Sequence, residues 1–218
     1  TLYIVATPIG NSRDMSERGR EILSTADIIA AEDTRRSVVL LNKLGIRGNS
    51  LSANHKFNEY GKAKWFIEQL ISGKDIAVIT DAGTPCISDP GNELIKAAVE
   101  EGIRVVGVPG CCAAVNALAI SGFDLSSFLF YGFFPRENAD RRKLLEKMRG
   151  ADTRTFAFYE SPKRIMELVD FLIESEAKLR LCLCNDMTKL HEMSFRGTPA
   201  QVKEQLLAKG NYDKGEYA

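Results

Sequence analysis

Short apolar runs rich in Val and Ile alternate along the chain with longer segments whose apolar positions recur at helical spacing. That alternation predicts strands of a buried, largely parallel sheet flanked by helices. The runs predict strands over 2–6, 28–31, 76–80, 105–108, 128–131, 155–159 and 179–184. Helices fit 16–24, 34–44, 59–72, 92–101, 113–121, 140–148, 162–174 and 199–209. Gly45, Gly102 and Gly122 fall where helices end, and Pro162 and Pro199 where helices begin. A stretch of five Phe punctuated by Gly, Ser and Pro, residues 121–135, marks a composition shift. It predicts a hinge near Gly122, with one α/β domain over 1–121 and a second over 122–218. The closing Gly-Glu-Tyr-Ala reads as the beginning of a strand whose remainder is missing, so a truncated C-terminus is expected.

Composition narrows the class. With 44% hydrophobic and 27% charged residues the chain is expected to be an ordinary globular protein rather than a disordered one. The 29 basic and 29 acidic residues cancel, so bulk charge argues against nucleic acid. Residues 136–150 are the local exception, with six basic side chains (Arg136, Arg141, Arg142, Lys143, Lys147, Arg149) against three acidic ones. Five cysteines, none in a paired C-x-x-C arrangement, give no structural zinc signature and fit a reducing cytoplasm. No run approaches the roughly 20 apolar residues of a spanning helix, and no signal-peptide pattern is present, so no membrane role is expected.

In an open α/β sheet the turns beyond the carboxyl ends of strands collect ligands, which makes those turns the place to look for chemistry. The richest is Thr-Asp-Ala-Gly-Thr-Pro-Cys-Ile-Ser-Asp-Pro-Gly at 80–91. Gly83 and Gly91 allow close backbone approach there, and Asp81 at the strand tip is a candidate for function, whereas Asp89 reads first as the cap of the next helix. The turn at 6–11 lacks both the P-loop and the G-x-G-x-x-G fingerprint, which weakens nucleoside triphosphate and nicotinamide readings. A third turn, 108–113, holds Cys111 and Cys112; nothing nearby in sequence would activate either thiol. Glu32, Asp33, Arg35 and Arg36 concentrate charge at a strand end, either as chemistry or as a helix cap with solvated arginines. A polar loop with Asn54, His55, Asn58 and Glu59, the strand-tip motif Tyr159–Arg164, and a charged segment with Lys189, His191, Glu192 and Arg196 complete the candidates.

Six motifs in fixed order carry a resemblance: ATPIGN, AEDTR, H-x-x-N-E, DAGTPxISDPG, YESPxR and TKLHE followed by RGT. The sequence resembles the ribosomal RNA small-subunit methyltransferase I family, a branch of the tetrapyrrole methylase superfamily, over residues 2–217. The resemblance implies a two-domain α/β fold, each domain a mixed, mostly parallel sheet flanked by helices, with a ligand cleft between domains. It implies S-adenosylmethionine as methyl donor, 2′-O-methylation of a cytidine in the decoding region of 16S ribosomal RNA, a small-subunit partner, and a homodimer. Carried over by position, the donor contacts are Pro8, Asp81, Ala82, Gly83, Thr84, Cys112, Tyr159, Glu160, Gly197 and Thr198. Asp33, Glu160 and Lys189 are the catalytic candidates, and Arg35, Arg36, Lys163, Arg164, Arg141 and Arg142 the RNA contacts. Two positions depart from the family pattern: Cys112 stands in for a small hydroxyl, and 184–187 read Cys-Asn-Asp-Met where relatives read Ala-Arg-Glu-Leu. The alternatives are a tetrapyrrole C-methylase sharing the donor cleft, and a noncatalytic RNA-binding ribosome-assembly factor.

Overall fold

The computed structural model describes residues 1–54, 59–176 and 178–218. His55 and Asn58, and the side chain of Glu59, from the polar loop singled out in the sequence, lie outside the described residues. The chain parts into two compact units, Thr1–Cys112 and Ala113–Ala218.

The first unit runs β1 (Leu2–Val5), α1 (Glu17–Thr25), β2 (Ile28–Ala31), α2 (Thr34–Lys43), β3 (Ser50–Ala53), α3 (Glu59–Ile71), β4 (Ile76–Ile79), α4 (Asn92–Glu100) and β5 (Val105–Val108). Its five strands form one parallel sheet in the order β3-β2-β4-β1-β5. Because strand side chains alternate between faces, the uninterrupted apolar runs of β2 and β4 supply two cores at once. On one face Ile29, Ala31, Ala77 and Ile79 pack with Leu23 of α1 and Leu41 of α2. On the other, Ile28, Ala30, Ile76 and Val78 pack with Phe66 of α3 and Leu94 of α4. Helices therefore cover both faces, and only the two rims of the sheet carry turns. Gly45 and Gly102 close α2 and α4 at φ +73° and +66°, the left-handed geometry expected of them. At the amino rim, Leu2 N–H donates to Arg104 O (2.9 Å) and Asp75 N–H to Asp27 Oδ2 (2.8 Å).

β3 was not anticipated. Its Ser-Leu-Ser-Ala sequence lies at the sheet edge, exposed at Ser50 and half-buried elsewhere, so it carries no long apolar run to mark it.

The second unit runs α5 (Ala113–Ser121), β6 (Phe128–Phe133), α6 (Asn138–Arg149), β7 (Thr155–Tyr159), a 3-10 turn (Pro162–Arg164), α7 (Ile165–Ser175), β8 (Leu181–Asn185), β9 (Met193–Gly197) and α8 (Pro199–Lys209). β6 and β7 pair in parallel; β8 and β9 pair antiparallel. Tyr217 bridges antiparallel to both Glu160, just past β7, and Asn185, the last residue of β8. Cys184 and Ala218 exchange backbone hydrogen bonds of 2.8 and 3.0 Å, so the closing residues do pair as a strand. The core gathers Phe134, Leu145, Ile165, Val169, Phe195 and Leu206, among others. The architecture is mixed α/β throughout, as expected. The division between units falls before α5 rather than at Gly122, because α5 packs on β7 and β8, with Ala114 N–H donating to the Tyr159 hydroxyl at 3.1 Å.

Candidate active site

Strand order decides which turns meet. With β1 between β4 and β5, the turns leaving the carboxyl ends of these three strands lie side by side, although residues 6–11, 80–91 and 108–113 are far apart in sequence. Thr7 N–H donates to Gly83 O at 2.8 Å and Gly83 N–H donates back to Thr7 O at 3.0 Å. The buried Thr7 hydroxyl donates to Thr80 O (3.1 Å), fixing the start of the same turn. Thr84 then reaches the third turn, its hydroxyl donating to Cys111 O at 2.9 Å. Gly83 holds φ +89°, which only glycine adopts without strain, and at Gly110 a Cβ would stand 2.9 Å from Ala6 Cβ. Glycine thus lets three backbone segments close on one another.

Pro8, Asp81, Ala82, Gly83, Thr84 and Cys112 all sit on these interlocked turns. Ala82 is exposed, Pro8, Thr84 and Cys112 half-buried, and Gly83 buried. The Cys111 thiol is pushed up by burial and points at Asp14 O (3.6 Å), so the sequence reading of an unactivated thiol agrees with its surroundings.

Beside the turns stands a group of carboxylates. Thr80 hydroxyl donates to Glu32 Oε2 at 2.5 Å, Asp81 N–H to the same oxygen at 3.3 Å, and Asp33 N–H to Asp81 Oδ1 at 3.2 Å. Arg36 Nη1 pairs with Asp81 Oδ2 at 3.0 Å, from a largely exposed side chain. Burial, then repulsion from Glu32, pushes Asp81 above the usual carboxylate range despite Arg36. The same two causes push Asp89 up to about 6, against a hydrogen bond from Thr80. Asp89 is not the cap the sequence suggested. The N-cap of α4 is Gly91, with no side-chain hydrogen bond, and Asp89 faces back toward Thr80 and Glu32.

Asp33 does cap α2, accepting from Arg35 N–H at 2.9 Å, and it also grips the Arg35 guanidinium at 3.1 and 2.7 Å. Those hydrogen bonds hold its carboxyl down at about 2. Held this low, the Asp33 carboxylate is ionised at neutral pH and keeps its Arg35 partner in place.

In the second unit, Glu160 is buried, its Oε1 accepting from Ser161 N–H (2.6 Å) and from Arg164 Nη2 (2.5 Å) while Oε2 has no hydrogen bond. Burial raises its pKa more than these partners lower it. Lys189 spans Asp186 Oδ1 (2.7 Å) and Glu216 Oε2 (2.8 Å); burial opposes its charge, but these partners outweigh burial and its pKa is raised. These two carboxylates favour the charged form of the Lys189 ammonium. Thr198 forms a capping box with Gln201 at the start of α8, and Gly197, at φ +145°, lies against the same glutamine. The hydroxyl expected at the donor is engaged in holding its own helix.

Two of the arginines read as RNA contacts face inward. Arg141 is 1% exposed: Nε donates to Pro135 O (2.9 Å), Nη1 pairs with Glu167 Oε1 (2.8 Å), and the guanidinium lies 5.5 Å from the Phe171 ring centroid. A phosphate cannot reach a side chain so enclosed. Arg164 is taken up by Glu160, with Nη1 buried as well. Arg35, Arg36, Arg142 and Lys163 are exposed or largely so. The sequence reading passed over Thr7 and Thr80, placed Asp89 first as a helix cap, and left Glu32 open between chemistry and a helix cap beside solvated arginines. The two threonines, each directly after an apolar strand, were the available signal.

The family model for Tetrapyrrole (Corrin/Porphyrin) Methylases matches residues 1–203. Proteins named ribosomal RNA small subunit methyltransferase I are similar across almost the whole chain. The Haemophilus influenzae protein is 44% identical over 99% of this chain and 76% of its own length. That from Halalkalibacterium halodurans is 41% identical over 99% and 78%, and that from Thermotoga maritima 42% over 92% and 89%. The chain belongs to this family. Among solved structures, a diphthine synthase aligns at TM-score 0.69 and 13% identity, over 99% of this chain and 88% of that one. A uroporphyrin-III-C-methyltransferase from Thermus thermophilus aligns at 0.65 and 17%, over 99% and 91%. At such identities these two show the shared fold alone.

Proposed function

We propose that this chain transfers a methyl group from S-adenosylmethionine to the ribose 2′-hydroxyl of a cytidine in 16S ribosomal RNA, acting on the small subunit or its RNA as a homodimer. The observation that carries the reading is the interlocking of the turns after β4, β1 and β5 through Thr7, Gly83 and Thr84, next to a half-buried carboxylate group. Asp81 and Asp89 are raised in pKa by burial and mutual repulsion with Glu32, so a cationic ligand relieves an existing cost. A sulfonium nucleotide with an ammonium group suits that donor set, and a ribose diol suits carboxylate acceptors.

The donor supplies an electrophilic methyl carbon, so no protein nucleophile is required and positioning is the main task. In our reading Pro8, Asp81, Ala82, Gly83, Thr84 and Cys112 hold the donor against backbone fixed by the Thr7–Gly83 pair. Tyr159, Glu160, Gly197 and Thr198 are proposed as its contacts from the second unit. Asp33 orients Asp81 through its N–H and holds Arg35. Lys189, held by Asp186 and Glu216, is proposed to favour ionisation of a nearby hydroxyl electrostatically. Arg35, Arg36, Arg142 and Lys163 grip phosphates, which supply position and salt-dependent affinity. The deciding experiment incubates the protein with isolated small subunits and methyl-labelled donor, then digests the RNA to nucleosides. Labelled 2′-O-methylcytidine is expected, and label absent from that nucleoside overturns the assignment.

A further inference from the structure

Phe133 and Phe134 are neighbours in sequence and opposites in exposure: Phe134 is 4% exposed in the core of the second unit, whereas Phe133 is 57% exposed. The cause is a bulge in β6. Phe130 lies opposite Ala157 and Phe133 opposite Tyr159, so β6 advances three residues while β7 advances two. Gly132, at φ +74°, absorbs the extra residue in a conformation that favours glycine. Strand side chains alternate between faces, and the insertion shifts that alternation by one. Phe133 therefore shares a face with Phe130 and Tyr159, while Phe134 turns to the other face and packs edge-on against Phe158.

Phe133 is exposed yet held. Its ring meets that of Tyr159 edge to face, centroids 5.7 Å apart and planes at 67°, and Phe130 meets the same tyrosine at 5.0 Å and 66°. Tyr159 is fixed in turn through its hydroxyl, which accepts from Ala114 N–H at 3.1 Å. Leaving a phenylalanine ring more than half in water forgoes much of the stabilisation its burial would give, and bulges are rare in parallel pairs such as β6 and β7. Where bulges do recur is beside active sites, where they re-aim a side chain. The side chain re-aimed here stands at the carboxyl end of β6, opposite the residue that precedes Glu160. The turns leaving the same rim carry exposed cations, Arg136 after β6 and Lys163 after β7.

We propose that Phe133 is the platform on which the target cytosine base stacks while its ribose is methylated, with Arg136 and Lys163 meeting the flanking phosphates. The inference rests on the reading of this chain as an RNA cytidine methyltransferase. A base drawn out of its RNA stack recovers the lost stacking on an aromatic side chain, and its ribose is then open on all sides. A ring already packed on Tyr159 gives up little side-chain freedom in making that contact. Every base has a π face, so Phe133 holds the nucleotide in position without choosing its identity. The two cations add position and salt-dependent affinity in the same way.

The test follows methylation of isolated small subunits lacking the modification, with methyl-labelled S-adenosylmethionine, by the wild type and by Phe133→Ala, Phe133→Leu and Phe133→Tyr. Values of kcat/KM should fall about tenfold or more in Phe133→Ala and in Phe133→Leu, which keeps apolar bulk without a ring, and stay within about threefold of wild type in Phe133→Tyr. Donor affinity by calorimetry should be the same in every variant. Phe128→Ala, which trims an exposed ring at the other end of β6, should leave activity unchanged. If Phe133→Ala fails to fold, the comparison of Phe133→Leu with Phe133→Tyr still decides. Full activity of Phe133→Leu overturns stacking. A matching loss of donor affinity overturns it too, by placing the ring at the donor, as does dissociation of a wild-type oligomer in sedimentation, by making Phe133 a contact between copies of the chain. A wild type that leaves the RNA unlabelled overturns the reading and the inference together; labelled 2′-O-methylcytidine from the wild type and from Phe133→Leu alike overturns the inference alone.

Discussion

Thr7 and Gly83 hold each other by two backbone hydrogen bonds, one in each direction, across two strand tips that are distant in sequence. The pair is possible because Gly83 stands at φ +89°. Gly83→Ala imposes left-handed strain of about 1–2 kcal/mol at this position. The expected outcome is a matching loss of stability in denaturant titration and at least about a tenfold loss of S-adenosylmethionine affinity by calorimetry, since 1.4 kcal/mol is a factor of ten. Unchanged affinity would separate the turn from the donor.

Asp89 gives the site a pH response. Its folded pKa of about 6 lies above the ordinary aspartate value, so the folded protein prefers the protonated form, and a stability cost develops as pH rises through 4 to 6. Asp89→Asn removes that cost: the variant should melt higher than the wild type at pH 8, with the difference vanishing near pH 4. A cationic donor prefers the ionised carboxylate, so wild-type affinity should rise with pH through about 6 and the variant's should not.

Arg141 and Arg142 are neighbours with opposite fates. Arg141→Ala removes a buried guanidinium, its bond to Pro135 O and its contact with Phe171, and should cost about 2 kcal/mol or more in stability. Arg142→Ala leaves stability unchanged and should weaken RNA binding, lowering the slope of log affinity against log salt by about 1. Filter binding across a salt series, paired with thermal melts, distinguishes the two.

Glu160 depends on Arg164. Arg164→Ala leaves a buried carboxylate without its cation, a change worth about 3 kcal/mol. The double variant with Glu160→Gln should recover part of that loss, because the amide carries no charge to strand. Additive losses in a double-mutant cycle would show that the ion pair is not the coupling.

Legibility followed burial. Strands β2 and β4 announce themselves because both faces of each are covered, which demands uninterrupted apolar residues. β3 and β9 do not, since Ser50 and Met193 face solvent and the second lies among charged residues. The motif-bearing turns were readable from Gly, Pro and Asp at strand tips. Their interlocking was not, because it depends on β1 lying between β4 and β5. Arg141 was misread as part of a basic surface, though it sits four residues before the buried Leu145 on one helix face, which places it inward. Asp89 was misread because a cap and a carboxylate turned back toward the strand tip look alike three residues ahead of a helix.

One rim of the parallel sheet bears the interlocked turns of residues 6–11, 80–91 and 108–113, and the opposite rim carries connections leading into the strands. Around Gly73 and Gly102 a Cβ would meet nothing within 4 Å, and both glycines lie in turns leading into strands at the amino edge. Reporter peptides, fluorophores or new chain termini grafted there would stand the length of the sheet away from the Thr7–Gly83 turns, giving the protein handles remote from the proposed donor site.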